Sequence, residues 1–282
     1  MRRHHLAALA ALIGSLLLAF TAAVPAQAAK PPRPGGTSYP SSMASLGDSI
    51  TRGFNAAGWY SDAPERSWST GTYASVNSHY SRLLTKNKRM KAYNNARSGA
   101  KMAELPGQAA TAVSQGAQYV TVLMGANDAC TSSEGTMTSV ESFRTSFSSA
   151  MTTLAGAAKP PQVLVTSIPD VYRLYEVGKT SSSARSAWST FGICQSMLAN
   201  PTSTDEADEA RRQRVRQQVV DYNAVMTDVC ADYSFCKDDG GVVFSYPFTL
   251  SQLSTWDYFH PNTAGQAVLA AETWKAGFWP TN

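Results

Sequence analysis

The sequence has little charge, little histidine and no metal-binding motif. Charged residues make up 16% of its 282 residues, and the formal net charge is only +4. A balance this close to neutral argues against a nucleic acid or an anionic surface as partner. The four histidines and four cysteines include no CxxC pair, no Cys/His cluster and no HExxH motif. We therefore expect neither a metal nor another cofactor.

Long hydrophobic segments are missing after the first 28 residues. Residues 1–28 combine Arg2 and Arg3, an apolar run over 6–20, and an Ala-x-Ala sequence at 26–28. This combination is typical of a signal peptide. The run is short for the alternative, a membrane anchor, and both Sec and twin-arginine export stay open. We expect a secreted, extracellular protein with no stable membrane anchor.

The rest of the chain reads as one domain. Residues 29–42 are rich in Pro, Gly and Ser and predict a flexible lead-in. Residues 43–282 are long and apolar enough for a single globular domain with a sizeable core. We see no internal repeat and expect a monomer.

The four cysteines all follow the predicted signal peptide. An even number in an exported chain suggests two disulfides, and three pairings are possible. Cys230 and Cys236 are close enough in sequence to close a small loop. The favoured pairing is therefore Cys230–Cys236 with Cys130–Cys194.

Strand and helix patterns alternate along the chain. Strands are predicted at 43–46, 89–93, 118–124, 163–168 and 241–244. The predicted helices are 71–85, one opened by Pro106, one over 137–154 with Thr138 and Glu141 as capping box, 215–229, and one capped by Thr263. This alternation implies a parallel sheet with helices on both faces.

Two segments show no clean period, and one charge cluster needs an interpretation. Residues 55–70 are predicted to be a loop, and residues 170–205 an irregular excursion at the rim of the predicted site. A cluster of arginines directly follows an acidic stretch, and this pattern predicts the solvated face of a helix. Its members are Arg211, Arg212, Arg214 and Arg216.

Candidate reactive residues occur at strand ends and in one late loop. Ser49 lies in a Gly-Asp-Ser turn after the first strand, at the start of a predicted helix, with its hydroxyl and N–H exposed. Gly99 and Asn127 follow the next two strands, and Asp257 and His260 share the loop before the last helix. A hydroxyl, an imidazole and a carboxylate are the three groups that acyl transfer requires.

The neighbouring titratable groups have simpler interpretations. His79 is predicted in the middle of a helix and partly exposed, so His260 is the better candidate base. Asp48 is expected to hydrogen-bond nearby backbone and shape the turn. Asp128 is likewise expected to be structural.

Taken together, these motifs resemble those of the SGNH hydrolases, also called GDSL-type esterases and lipases. The pieces occur in the family's order: Gly47-Asp48-Ser49, Gly99, Gly125-Ala126-Asn127-Asp128 and Asp257-x-x-His260. Ile50 stands where leucine gives the GDSL name. The cysteines and the segment 191–196 look most like secreted actinobacterial members. The Gly-x-Ser-x-Gly elbow of the rival α/β-hydrolases is absent.

The resemblance implies a fold and a set of roles. The fold would be a flavodoxin-like three-layer α/β/α sandwich with a central parallel sheet. Ser49 would attack an ester carbonyl, His260 would act as base, and Asp257 would orient the imidazole. The oxyanion hole would consist of Ser49, Gly99 and Asn127. The chain would thus be a serine ester hydrolase.

The substrate stays open at this point. Tyr172, Tyr175 and Trp188 could line an apolar acyl site, stack on sugars, or simply pack the rim. The first possibility favours lipid or simple acyl esters, which we expect. The second favours a carbohydrate O-deacetylase, and a non-catalytic surface-binding module is an alternative of another class.

Overall fold

The computed structural model describes residues 39–279, and its centre is a parallel sheet. The strands are β1 (Ser42–Gly47), β2 (Lys91–Asn94), β3 (Tyr119–Leu123), β4 (Gln162–Val165) and β5 (Cys236–Asp238). All neighbours pair in parallel in the order β2-β1-β3-β4-β5. The sequence order reverses between β1 and β3, which is where such sheets bind ligands. The predicted signal peptide, residues 1–28, lies outside the described residues.

Helices cover both faces of the sheet, as predicted. They are α1 (His79–Lys86), α2 (Leu105–Ser114), α3 (Ala126–Ala129), α4 (Val140–Ala155), α5 (Val171–Gly178), α6 (Ser182–Thr190), α7 (Gln195–Leu198), α8 (Glu206–Ala231), α9 (Val242–Ser245) and α10 (Thr263–Ala276). Among residues 39–279, no helix combines the length and apolar character needed to cross a bilayer.

Alternate strand residues feed two separate cores. Val120 and Val122 of β3 pack in the larger cluster, with side chains from α2, α4 and α8. Tyr119 packs in the smaller cluster on the other face, with Leu83 of α1 and Trp274 of α10. This alternation is the two-residue period of a strand buried on both sides. The predicted three-layer α/β/α fold is therefore confirmed.

The first helix is shorter than the predicted 71–85. Ser78 caps α1, and its hydroxyl accepts a hydrogen bond from the N–H of Ser81 at 3.0 Å. The N–H groups of Thr72 and Tyr73 instead donate to the carbonyl of Glu65. Tertiary hydrogen bonds thus replace the helical ones before residue 79.

The starts of three other helices lie close to the predictions. Pro106 lies in the first turn of its helix. The caps of α4 and α10 are Ser139 and Asn262, each one residue from the predicted cap.

The prediction of a last strand at 241–244 was wrong. The edge strand β5 ends at Asp238, and residues 242–245 form the short helix α9. The carboxylate of Asp239 accepts hydrogen bonds from the N–H groups of Gly241 and Val243, at 2.9 and 3.3 Å. Gly241 has φ +77°, which suits glycine, and the turn bends the apolar run into a helix.

The excursion over 170–205 is helical and well packed. Asp170 caps α5 and Ser181 caps α6. Tyr175 and Trp188 are buried there, 4% and 1% exposed, so they pack the protein and do not line a substrate site. These helices are too short for a hydrophobic period to be read from sequence.

The arginine cluster on α8 is not simply a solvated face. Arg212 is 1% exposed, its guanidinium donates to the carbonyl of Ser203, and it lies 4.5 Å from the ring centre of Tyr175. Arg211 donates to the carbonyl of Ala199. The two side chains supply donors to carbonyl groups of the loop 199–203, a role invisible in the sequence. Arg214, by contrast, is exposed and pairs with Glu134.

Candidate active site

The turn after β1 presents Ser49. No helix follows it: residues 48–57 form successive turns in which the N–H of Arg52 bonds to the carbonyl of Asp48 at 3.0 Å. Gly47 is needed at the strand end, because a Cβ there would lie 2.4 Å from the carbonyl oxygen of Leu123. The side chain of Gln108 accepts from the N–H of Gly47 and donates to its carbonyl, at 2.7 and 2.9 Å. The backbone just before Ser49 is therefore held from both sides.

The loop before α10 presents Asp257 and His260. Its ends are joined by a bridge between Leu253 and Pro261 and by a hydrogen bond from Ser254 N–H to the carbonyl of His260. Tyr258 has φ +51°, and its carbonyl accepts a hydrogen bond from the indole of Trp188. The buried Trp188 therefore fixes the turn that separates the two predicted site residues.

The structure brings Ser49, His260 and Asp257 into one hydrogen-bonded series. Ser49 Oγ is 2.8 Å from His260 Nε2, and His260 Nδ1 is 2.6 Å from Asp257 Oδ2. This spacing suits a neutral imidazole that donates from Nδ1 and accepts the Ser49 proton at Nε2. Ser49 is 6% exposed and Asp257 only 2%.

Asp257 stays ionised despite its burial. Burial alone would raise its pKa, but the hydrogen bond from His260 and that residue's charge outweigh it, so the pKa lies below the usual range. The N–H groups of Phe259 and His260 also donate to Asp257 Oδ1, at 2.9 and 3.0 Å. Asn55 Nδ2 donates to the other oxygen at 2.5 Å.

Three potential donors converge beside Ser49. Within residues 39–279, the N–H groups of Ser49 and Gly99 donate to no protein acceptor. Gly99 has φ +82°, a conformation that suits glycine, and it lines the same cavity as Ser49 and Asn127. Asn127 Nδ2 donates one hydrogen bond to the carbonyl of Ala100 at 2.9 Å, which leaves its second N–H available. A preorganised set of this kind suits an oxyanion.

Asp128 and a disulfide hold the donors in place. Asp128 Oδ2 accepts a hydrogen bond from Met102 N–H at 2.8 Å, which ties α3 to the loop after Gly99. The disulfide Cys130–Cys194 follows α3 directly, and the second disulfide is Cys230–Cys236. These are the two pairings favoured from the sequence.

The carboxyl group beside Ser49 is unusual. Asp48 is fully buried, and burial raises its pKa to about 7, even though its Oδ1 accepts the N–H of Ile50 at 2.9 Å. Burial also raises the pKa of Asp128. Both residues bond to backbone, in keeping with the structural roles expected of them.

A cavity of about 240 Å³ opens at the hydroxyl of Ser49. Its walls combine the groups above with apolar side chains and the first disulfide: Ser49, Phe54, Ser98, Gly99, Asn127, Cys130, Ile193, Cys194, Phe259 and His260. A smaller pocket of about 60 Å³ shares Phe259 and is lined almost wholly by apolar residues, among them Ile50, Val171 and Leu174. No group of three or more potential metal ligands occurs in residues 39–279.

His79 was predicted to be partly exposed, and this was wrong. It is the first residue of α1 and is 0% exposed. Its ring nitrogens bond to the hydroxyls of Tyr119 and Thr273, each at 2.8 Å. Because these partners are 40 and 194 residues away along the chain, sequence periodicity could not reveal its burial.

Several residues around the site were missed by the sequence analysis. Gln108 and Gln266 hold the turn around Ser49, since Gln266 Nε2 donates to the carbonyl of Ile50 at 2.7 Å. Both lie on buried sides of their helices, and a polar residue at an apolar helix position was the available signal. Asn55 gave no signal, because its partner is 202 residues away.

Exposed aromatic side chains were also missed. We call Trp59, Tyr60, Phe191 and Trp256 the aromatic rim; they are 60%, 59%, 52% and 47% exposed. Tyr60 stacks on Phe191 with ring centres 6.1 Å apart. Phe54 touches both Tyr60 and the ring of His260, at 5.1 and 4.9 Å between centres. Tyr60 and Phe191 of the aromatic rim are thus connected through Phe54 to the cavity at Ser49.

Comparison with solved structures supports the fold. A putative GDSL-like lipase from Parabacteroides merdae is 15% identical with TM-score 0.52, covering 83% of this chain and 94% of that one. A catalytic mutant of the acetylxylan esterase Axe2 from Geobacillus stearothermophilus is 15% identical with TM-score 0.52, covering 85% and 95%. The enzyme LAE5 from the metagenome of Lake Arreo, Spain, is 19% identical with TM-score 0.51, covering 84% and 97%. No curated protein sequence matches the chain.

A family profile provides the stronger relation. The profile described as GDSL-like Lipase/Acylhydrolase matches residues 43–273, which span every strand and every predicted site residue. The match agrees with the parallel sheet, its order and the side chains gathered at its carboxyl end. The chain therefore belongs to the GDSL-like lipase/acylhydrolase family, has the SGNH hydrolase fold and is a carboxylic ester hydrolase.

Proposed function

We propose that this protein is a secreted serine hydrolase that cleaves lipid or simple acyl esters through an acyl-enzyme on Ser49. The observation that carries the proposal is the series Ser49 Oγ, His260, Asp257, with distances of 2.8 and 2.6 Å, at the wall of an open cavity. The leader-like residues 1–28 and the two disulfides support export.

In the acylation step, His260 Nε2 takes the proton of Ser49 as Oγ bonds to the ester carbon. The carbonyl electron pair moves to its oxygen, which accepts hydrogen bonds from the N–H groups of Ser49 and Gly99 and from the amide of Asn127. The C–O bond to the alcohol then breaks. His260 passes its proton to the departing oxygen, and the acyl group stays on Ser49.

Deacylation repeats these steps with water. His260 removes a proton from water, whose oxygen attacks the acyl carbon. The bond between that carbon and Ser49 Oγ then breaks, His260 returns the proton to Oγ, and the carboxylic acid leaves. Throughout, the ionised Asp257 holds Nδ1–H and stabilises the imidazolium that forms in each half-reaction.

The lining of the cavity favours apolar acyl groups. Phe54, Ile193 and Phe259 form its apolar wall, and the neighbouring small pocket shares Phe259. Sugar hydroxyls need polar partners, yet the hydroxyl of Ser98 already donates to Asp62 at 2.5 Å. An apolar lining with few converging polar groups is typical of sites for apolar ligands.

The aromatic rim favours a second candidate, a carbohydrate O-deacetylase. Exposed aromatic faces beside the cavity could stack on sugar rings, and one structural relative is an acetylxylan esterase. We place it second because the rim lies outside the cavity, whose inner wall is apolar.

A substrate panel tests both candidates. We expect p-nitrophenyl esters of short and medium aliphatic acids, or a phospholipid, to be hydrolysed with higher kcat/KM than acetylated xylan. Faster release of acetate from xylan would establish the deacetylase instead. A folded Ser49→Ala variant that still turns over any of them would contradict the acyl-enzyme. Mass analysis of the exported protein tests secretion, with Ala29 expected as first residue.

A further inference from the structure

The turn that carries Ser49 also carries Asn55, which contacts the far end of the hydrogen-bonded series. Asn55 is 1% exposed and has φ +60°, a left-handed conformation that asparagine tolerates better than most residues. Its N–H donates to the carbonyl of Ser61 at 2.9 Å. Its Nδ2 donates to Asp257 Oδ2 at 2.5 Å.

This contact differs from the other hydrogen bonds on Asp257. Three of them come from within the same loop: two from the N–H groups of Phe259 and His260, and one from His260 Nδ1. Only the amide of Asn55, among the described residues, reaches Asp257 from another part of the chain. It shares Oδ2 with the imidazole, so it acts on the oxygen that orients His260.

We propose that Asn55 is a positioning residue that fixes the carboxylate of Asp257 and thereby sets the orientation and basicity of His260. The inference rests on the proposed function, in which these residues act on Ser49. The segment 48–57 then contacts both ends of the series. Ser49 bonds to His260 Nε2, and Asn55 bonds to the carboxylate of Asp257, which accepts from His260 Nδ1. The neutral amide donates without adding a charge, so Asp257 stays an anion that stabilises imidazolium.

The hydrogen bond from the Asn55 amide also weakens the interaction between the Asp257 carboxylate and the imidazolium of His260. A carboxylate with one donor fewer interacts more strongly with the imidazolium and is freer to rotate away from Nδ1. Two carboxyl groups lie near His260: Asp257 is bonded to it, and Asp48 interacts with it electrostatically, since the charge of His260 opposes the rise that burial causes in the pKa of Asp48. Asn55 touches only the first, so its replacement changes one of these influences and leaves the other.

Two substitutions isolate the amide from the backbone. Asn55→Gly keeps a left-handed residue and removes the donor, whereas Asn55→Asp keeps the shape and replaces the donor with a second carboxyl group. We expect kcat to fall roughly 10- to 100-fold in Asn55→Gly, the range for losing a hydrogen bond to a charged group, with little change in KM. The kcat of Asn55→Asp should fall further at neutral pH.

The pH profile separates positioning from a merely structural effect. The acidic limb of kcat/KM reports protonation of the general base. It should move to higher pH in both variants, because imidazolium is then stabilised more strongly. The downfield proton resonance of His260 Nδ1–H should shift or broaden. Asn77→Gly is the matched control, since Asn77 is exposed, has φ +49° and lies away from the site.

Fluorophosphonate labelling makes the outcome independent of substrate. The wild type should be labelled fast, the Asn55 variants slowly, Asn77→Gly like the wild type and Ser49→Ala not at all. Wild-type rates and an unmoved acidic limb in either folded Asn55 variant would overturn the proposal. If Asn55→Gly does not fold, Asn55→Asp decides alone. Labelling of folded Ser49→Ala would instead overturn the proposed function.

Discussion

The two histidines of the described chain make the same number of side-chain hydrogen bonds, yet their surroundings are opposite. His260 lies at the carboxyl edge of the sheet, bonded to the carboxylate of Asp257 and the hydroxyl of Ser49 beside an open cavity. His79 packs against Tyr119 and Trp274 of the smaller core and is bonded to the hydroxyls of Tyr119 and Thr273. Trp68 and the helix α10 close over it.

The difference shows what distinguishes the candidate base His260 from the buried histidine His79. Burial, and to a lesser degree the charge of Arg82, lower the pKa of His79 to about 3, so it stays neutral at ordinary pH. Among residues 39–279 no carboxylate is bonded to it, and at 0% exposure it has no solvent with which to exchange a proton. Hydrogen-bond number does not separate the two sites; the charge of the partner and access to the cavity do.

The largest expected difference between His260 and His79 is the effect of their substitution on kcat. Ser49→Ala and His260→Ala should each lower kcat by on the order of 10⁶, and the double variant should be hardly worse, because the residues act as a unit. His79→Gln should keep near-normal kcat and lose stability instead. Steady-state kinetics on a p-nitrophenyl ester, with circular dichroism to verify folding, measure this. An inactive but folded His79→Gln would reverse the assignment.

A smaller effect is expected at the oxyanion donors. Asn127→Ala should lower kcat by roughly 10²–10³, with KM nearly unchanged, since the bond strengthens only in the transition state. Part of the loss would arise from freeing the carbonyl of Ala100, which the same amide holds. Kinetic constants and thermal midpoints of Asn127→Ala and the wild type check this. A large KM increase at constant kcat would make Asn127 a substrate-binding residue.

A third effect, on stability instead of turnover, is the pH dependence contributed by the buried His79. The pKa of His79 falls from 6.5 to about 3 on folding, so only the unfolded chain binds this proton between those values. Stability should therefore decrease as pH falls from about 6.5 to 3, by at most about 1.4 kcal/mol per unit. In urea titrations, the stability of the wild type relative to His79→Gln should therefore decrease as pH falls through this range. Parallel curves would contradict the assignment.

Asp48, at the edge that carries Ser49, should give the opposite slope. Its pKa rises from 3.8 to about 7 on folding, so the folded protein binds the additional proton. Its stability contribution is present at low pH and is lost as pH rises through about 7. The same urea titrations on Asp48→Asn should show the variant gaining on the wild type from pH 4 to 7. Because the two slopes oppose each other, the wild type alone would conceal both.

Local patterns in the sequence predicted much of the sheet and of the helices that flank it. The apolar runs of β1, β3 and β4 are long enough to be identified, and their alternation with helices implied the parallel sheet. The prediction failed where tertiary contacts replaced local ones. Residues 71–73 bond to carbonyl groups of residues 65–67, and Asp239 converts the apolar run after β5 into a helix.

The sequence by itself supplied the candidate reactive groups. Their types and order along the chain are a local property, so Ser49, Gly99, Asn127, Asp257 and His260 could all be named before the fold was known. The family to which the chain belongs follows from the same residues.

Only the tertiary structure decided what surrounds those groups. It buried His79 between the hydroxyls of Tyr119 and Thr273, buried Tyr175 and Trp188, and left Trp59 and Phe191 exposed. It also brought Asn55 to Asp257 across 202 residues of sequence. Burial and charge partners depend on which distant segments pack together. Apolar periodicity specifies which face of an element is buried, and it does not specify the neighbour that the face meets.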